Sequence, residues 1–181
     1  NLGCYGDGGA VFTNNDDLAN RIRMMANHGQ SRKYYHDTVG VNSRLDTIQA
    51  AILRVKLKYL DEFTQKRQSI ASKYSMELGK IDGLVIPEIA PKTNHVFHQY
   101  TIQLKDSRMR EELRKWLDEM NIPSMIYYPV PLHKQKAYFQ DIDLPITSYL
   151  CNSVLSLPIC PELSNENQNF IIQSIKKYFN Q

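Results

Sequence analysis

The sequence predicts a mixed α/β chain in which one long helix ties two lobes together. Three observations carry that expectation. Apolar residues from Leu45 to Leu78 recur every three or four positions. Beyond residue 80, extended runs alternate with capped helical segments. Over 181 residues, 42 % hydrophobic and 23 % charged side chains suit a packed core and argue against disorder.

The elements follow in order. "GGAVFT" (8–13) reads as a short strand leaving a glycine turn. A short helix comes next. Asn14 or Asn15 caps it, Asp16 and Asp17 suit its first turn, Leu18, Ile22 and Met25 form its apolar side, and His28-Gly29 ends it. Residues 30–41 are polar, rich in tyrosine, and read as a loop. The periodicity then predicts one helix over 44–79, ending near Gly79, about 50 Å long at 1.5 Å per residue. The remainder reads as an α+β lobe. Its strands are "HVFHQYTIQL" (95–104), "IPSMIYY" (122–128) and "VLSLPI" (154–159). Its helices start at caps Ser107 and Ser164. The expected domains are therefore 1–43, the connecting helix 44–79, and 80–181.

Bulk properties exclude several classes. A net charge of +3, scattered along the chain, gives no nucleic-acid footprint; the nearest basic cluster, Arg21, Arg23, Arg32 and Lys33, reads equally as a solvated helix surface. No apolar run approaches the roughly 18 residues that a membrane-spanning helix needs, and no targeting segment is visible. Cys4, Cys151 and Cys160 share no paired or metal-ligand spacing, so reduced thiols in a cytoplasmic protein are expected, with no metal site.

Three stretches could carry chemistry. "NLGCYGDGG" (1–9) places four glycines where a backbone can approach a ligand closely, or simply turn tightly; it lacks the strand-and-helix context of a dinucleotide fingerprint. In "GVNSRLDTIQ" (40–49), Ser43 and Asp46 have capping-box spacing. Asn42 and Arg44 crowd the same helix start, where N–H groups and a guanidinium suit an anion; a plain, well-capped helix is the alternative. "IYYPVPLHKQKAYF" (126–139) holds Tyr127, Tyr128 and His133 in a proline-stiffened aromatic segment, either a ligand wall or a core tyrosine pair. His95 and His98, three apart on an expected strand, face opposite sides and read as structural rather than as a metal pair. Cys4 reads as inert.

Taken together, "NLGCYGDGGAVFTN", "RMMANHGQ", "GVNSRLDTIQAAILRVKL", "YYPVPLHKQKAY" and "SVLSLPICPELS" resemble, in order and across essentially the whole chain, the DegT/DnrJ/EryC1/StrS family of nucleotide-sugar aminotransferases. These are pyridoxal-phosphate enzymes of the aspartate-aminotransferase type. The resemblance implies the C-terminal half of a fold type I chain: the end of the large-domain sheet, the connecting helix, and a small α+β domain. It implies a longer parent in which a lysine immediately before Asn1 holds pyridoxal 5'-phosphate as a Schiff base, so that this chain itself contains no catalytic residue.

Further roles follow from the resemblance. Asn1, flanking the cofactor lysine, is a cofactor-binding residue. Asn42 crosses a homodimer interface to the phosphate of the other subunit's cofactor. Arg44, Tyr127, Tyr128 and His133 contact the nucleotide sugar, and the Tyr-Tyr pair is similar to enzymes that aminate a UDP-linked 3-keto-glucuronic acid derivative, with Tyr127 and Arg44 toward its carboxylate. The implied reaction moves an amino group, expected from glutamate, to a keto-sugar through the pyridoxal and pyridoxamine forms, for bacterial surface polysaccharide, lipopolysaccharide or related sugars. The rivals are a pyridoxamine-dependent dehydratase of the same family, with histidine in place of the lysine, and a non-catalytic binding or regulatory dimer.

Overall fold

The structure, a computed structural model, describes residues 1–180. The chain divides into two compact units, one of Leu2–Leu60 and one of Asp61 onward together with Asn1.

The first unit opens with an irregular segment and then α1 (Asp16–Ala26), whose N-cap Asn15 accepts from Leu18 N at 2.9 Å. Where a strand was expected at 8–13 there is none. Val11 and Phe12 are strand-forming residues, but a strand exists only through a hydrogen-bonded neighbour, and no described strand pairs with them. Strands form instead in the expected loop: β1 (Gln30–Arg32) and β2 (Tyr35–His36) make an antiparallel hairpin. Residues 42–46 then lie outside any helix, and α2 (Thr47–Lys56) begins three residues later than the periodicity suggests. Its N-cap is Asp46, whose side chain makes no capping bond, so the Ser43–Asp46 box is not formed. A 3-10 turn at Leu57–Tyr59 follows. No hydrophobic side chain of this unit is buried.

The second unit holds the core. α3 (Leu60–Leu78) continues the helical run and buries Ile70, Ala71, Tyr74 and Leu78, one stripe at helical spacing. A three-stranded antiparallel sheet lies in the order β3 (Leu84–Val85), β4 (Tyr100–Leu104), β5 (Val154–Leu157). Register pairs Tyr100 with Leu157 and Ile102 with Leu155. Alternation along β4 turns Tyr100, Ile102 and Leu104 into the core. α4 (Ser107–Glu119) adds Leu113 and Leu117, and α6 (Asn165–Phe179) adds Ile171, Ile172 and Ile175. The cap of α4 is Asp106, not Ser107: its carboxylate accepts from Met109 N at 2.8 Å. Ser164 caps α6 as expected. α5 (Pro145–Ser153), with proline in its first turn, was not foreseen.

All three expected strands shrink, the one at 154–159 to Val154–Leu157. Residues 95–99 lie outside β4, so the opposite-faces reading of His95 and His98 has no strand beneath it. Of residues 122–128, only Met125 pairs, in a single bridge to Ser156 on β5. Pro123 and Pro129 flank that bridge, and proline cannot donate to a ladder.

Candidate functional site

In the first unit, the site is a short strap from Gly40 to Arg44. It lies antiparallel to the end of α1: Val41 N donates to Met25 O at 2.8 Å, His28 N to Val41 O at 2.9 Å, and Ser43 N to Ala26 O at 2.9 Å. Asn27 and Asn42 face each other in this bridge. The close approach needs glycine on both sides. A Cβ on Gly40 would sit 2.1 Å from Gly29 N, and one on Gly29, whose φ is +72°, would sit 1.8 Å from Thr38 O. Asn42 leaves this strap with its Oδ1 accepting from Arg44 Nε at 3.1 Å. Both residues are exposed, and this bond uses only the Asn42 oxygen and Arg44 Nε, so the amide nitrogen and the two terminal guanidinium nitrogens remain as donors. The pair suits a phosphate or carboxylate.

The glycine turn is tied to α2 by two side chains that the sequence reading missed. Gln49 brackets Tyr5, accepting from its N at 2.8 Å and donating to its O, and Lys56 Nζ donates to Gly3 O. Their spacing of seven puts both on one helix face, a signal present in the sequence. Gly3 and Gly6 have φ of +59° and +136°, so the turn uses the left-handed region that glycine permits. Cys4 donates its Sγ–H to Gly6 O, and all three cysteines are free thiols.

In the second unit, a cleft of about 210 Å³ is lined by His98, Gln99, Met125, Tyr127, Ser156 and Pro158, among others. Asn1 adjoins it through the His98 ring, its Oδ1 lying 3.0 Å from His98 Nδ1. Tyr127 lines the cleft and Tyr128 does not; their rings meet edge-on at 5.6 Å. His133 is buried, and its Nε2 has no hydrogen-bond partner among the described residues. His133 does not line the cleft. The phenol of Tyr74, which donates to Pro158 O at 2.9 Å behind the cleft, is pushed well above the usual tyrosine value by burial. No three His, Cys, Asp or Glu side chains gather as metal ligands among the described residues, and no described helix is long and apolar enough to cross a membrane.

These motifs match a known group along almost their full length: residues 1–176 fit the DegT/DnrJ/EryC1/StrS aminotransferase family. The chain belongs to that family. Curated relatives include a pleiotropic regulatory protein of Geobacillus stearothermophilus, 42 % identical over 185 residues that cover 99 % of this chain and 49 % of that protein. Another is the UDP-2-acetamido-2-deoxy-3-oxo-D-glucuronate aminotransferase of Pseudomonas aeruginosa, 42 % identical over 175 residues, 96 % of this chain and 48 % of that protein. Among solved structures, S. venezuelae DesV, in complex with a ketimine intermediate, matches with a TM-score of 0.93 at 39 % identity, over 99 % of this chain and 48 % of that one. The DegT-family chain described here thus spans about half the length of the curated relatives it matches, and its mixed helix-and-sheet fold is the family's.

Proposed function

We propose that this chain is part of a pyridoxal-phosphate aminotransferase that transfers an amino group, from glutamate, to a nucleotide-linked keto-sugar. The observation that carries the reading is the Asn42–Arg44 pair: a carboxamide and a guanidinium, oriented by their own hydrogen bond, on a strap that only two facing glycines permit. Such donors fit the phosphate of the cofactor and an anionic group of the substrate. When bound, the cofactor supplies the electron sink for the exchange of amino group and carbonyl oxygen. The chain's own residues bind and orient. Asn42 donates to phosphate, in a homodimer to that of the partner subunit. Arg44 meets an acidic sugar substituent. Tyr127 lines the cleft and presents its ring to the nucleotide sugar, with Tyr128 packed edge-on against it; the substrate contact expected of His133 requires its buried ring to be uncovered.

The glucuronate relative and Arg44 support a sugar acid as the acceptor. A cytoplasmic enzyme of bacterial surface-polysaccharide synthesis is the setting that fits. The test is borohydride reduction of the full-length protein, digestion, and mass analysis of the peptide running into Asn1. A lysine carrying the reduced cofactor is expected. A histidine there replaces the reading with the dehydratase, and any other unmodified residue replaces it with a binding protein. Asn42→Ala should weaken cofactor binding about tenfold or more, the loss of one charge-assisted hydrogen bond; unchanged affinity removes Asn42 from the site.

A further inference from the structure

Segment 95–98 lies outside the sheet, yet all four of its carbonyls are taken, each by a side chain. Gln68 Nε2 donates to His95 O at 3.0 Å, and Asn1 Nδ2 to Val96 O at 2.9 Å. Arg67 Nη1 donates to Phe97 O at 3.3 Å and His98 O at 3.4 Å. The same nitrogen reaches Ile159 O at 2.9 Å. One guanidinium nitrogen carries two protons, so the Ile159 bond takes one and the two longer contacts share the other. Arg67 therefore staples the chain beyond β5 to segment 97–98, and those two stretches supply His98, Pro158 and Ile159 to the cleft.

The contacts of Asn1 fix a tautomer. Two carbonyl oxygens do not pair, so the amide nitrogen of Asn1 faces Val96 O and its Oδ1 faces His98. His98 Nδ1 must then carry the ring proton and donate it. Both ends of the Asn1 amide are thereby held by segment 96–98, although Asn1 lies far from it in sequence. A carboxamide gripped at both ends acts as a strut.

We infer that Arg67 and His98 are positioning residues that, through segment 95–98 and the Asn1 amide, fix the backbone direction at Asn1 and so the placement of the reactive side chain proposed on its N-terminal side. The inference rests on that proposed aminotransferase reading. It gives Asn1 a mechanical role rather than a contact with the cofactor.

The test uses the full-length protein with His98→Leu, His98→Asn and Arg67→Lys. His98 is exposed, so its variants keep the core intact. Asparagine places an N–H two bonds beyond Cβ, as His Nδ1 does, and leucine places none. In the apoprotein, hydrogen exchange of the peptide beginning at Asn1 should run about fivefold faster in His98→Leu, the loss of one hydrogen bond, and return to wild type in His98→Asn. Arg67→Lys, which cannot span three carbonyls, should speed it likewise. With pyridoxal phosphate bound, His98→Leu should lower kcat about tenfold at unchanged KM and move the pH midpoint of the cofactor's visible band, both restored by His98→Asn. Wild-type protein that takes up no pyridoxal phosphate overturns the functional reading and the inference with it. Wild-type protein that takes it up, while His98→Leu leaves exchange or kcat unchanged, overturns the inference alone.

Discussion

Gly40→Ala is the sharpest probe of the strap that carries Asn42. The added Cβ would lie 2.1 Å from Gly29 N, 2.6 Å from Met25 O and 2.7 Å from the carbonyl carbon of His28. Ordinary contacts of carbon sit at about 3.5 Å, so roughly an ångström must be found at each. All three obstacles are backbone, and no rotamer relieves them. The strap must lift from α1, which stretches the Val41–Met25, His28–Val41 and Ser43–Ala26 hydrogen bonds together. At about 1 kcal/mol each, the local cost is about 3 kcal/mol, within the range that overpacking alone imposes.

The functional consequence falls on Asn42. Displacing one charge-assisted donor forfeits about 1.5–3 kcal/mol of binding, or about ten- to a hundredfold in Kd. Titration of the full-length apoprotein with pyridoxal phosphate, read by absorbance, measures this directly. Wild-type affinity in Gly40→Ala would refute the claim that glycine contact holds Asn42 in place.

Three further outcomes are expected. Burial raises the phenols of Tyr74 and Tyr100, and a group whose folded pKa lies above its usual value of about 10 stabilises the fold fully below that pH and loses this contribution as pH climbs past it. Tyr74→Phe should therefore cost about 1 kcal/mol at neutral pH, through the lost Pro158 bond, yet flatten the loss of stability above pH 10; equal alkaline slopes in urea titrations would contradict this. Asp106→Ala should destabilise by about 1 kcal/mol while Ser107→Ala stays within a few tenths, and the reverse order would return the cap of α4 to Ser107. A peptide of residues 2–60 should show little helix by circular dichroism and no cooperative melt, because the segment buries no hydrophobic side chain of its own.

Elements that stabilise themselves locally were readable in the sequence. α1 and α6 have caps at Asn15 and Ser164 and apolar stripes at helical spacing, and both stand where the pattern puts them. Misreadings occurred where partners decide. Val11 and Phe12 are β-formers without a strand beside them, so no strand forms. Ser43 and Asp46 have capping-box spacing, but the bridge from Asn27 to Asn42 and the bond from Ser43 N to Ala26 O tie that segment to the end of α1, and α2 starts only at Thr47. Residues 95–98 read as the start of a strand, yet their carbonyls pair with Gln68, Asn1 and Arg67, donors remote in sequence. The pairing of Asn42 with Arg44 is a near-neighbour contact and could be read from spacing. The cleft beside Tyr127 could not, since β5 and the segment around Met125 meet only in the fold.

The two units hold their functional side chains by different physics, and this predicts different symptoms of damage. In the unit from Asp61 onward, Tyr127 and His98 stand on a core of fully buried Leu, Ile and Tyr side chains, where one deleted methylene group is felt throughout. Loss of packing there, as in Leu117→Ala, should cost about 2–5 kcal/mol and lower the melting temperature before it touches the site. In Leu2–Leu60, Asn42 and the glycine turn are held by backbone bonds, two glycines and single side-chain bonds from Arg44, Cys4, Gln49 and Lys56. Each such tie contributes about 1 kcal/mol, too little to move a global transition far but enough to change the local geometry of an anion site. Lesions in this unit should therefore appear first as weakened cofactor binding at nearly constant stability. Added ligand should restore part of the order, because whatever binds the ordered strap favours it by mass action.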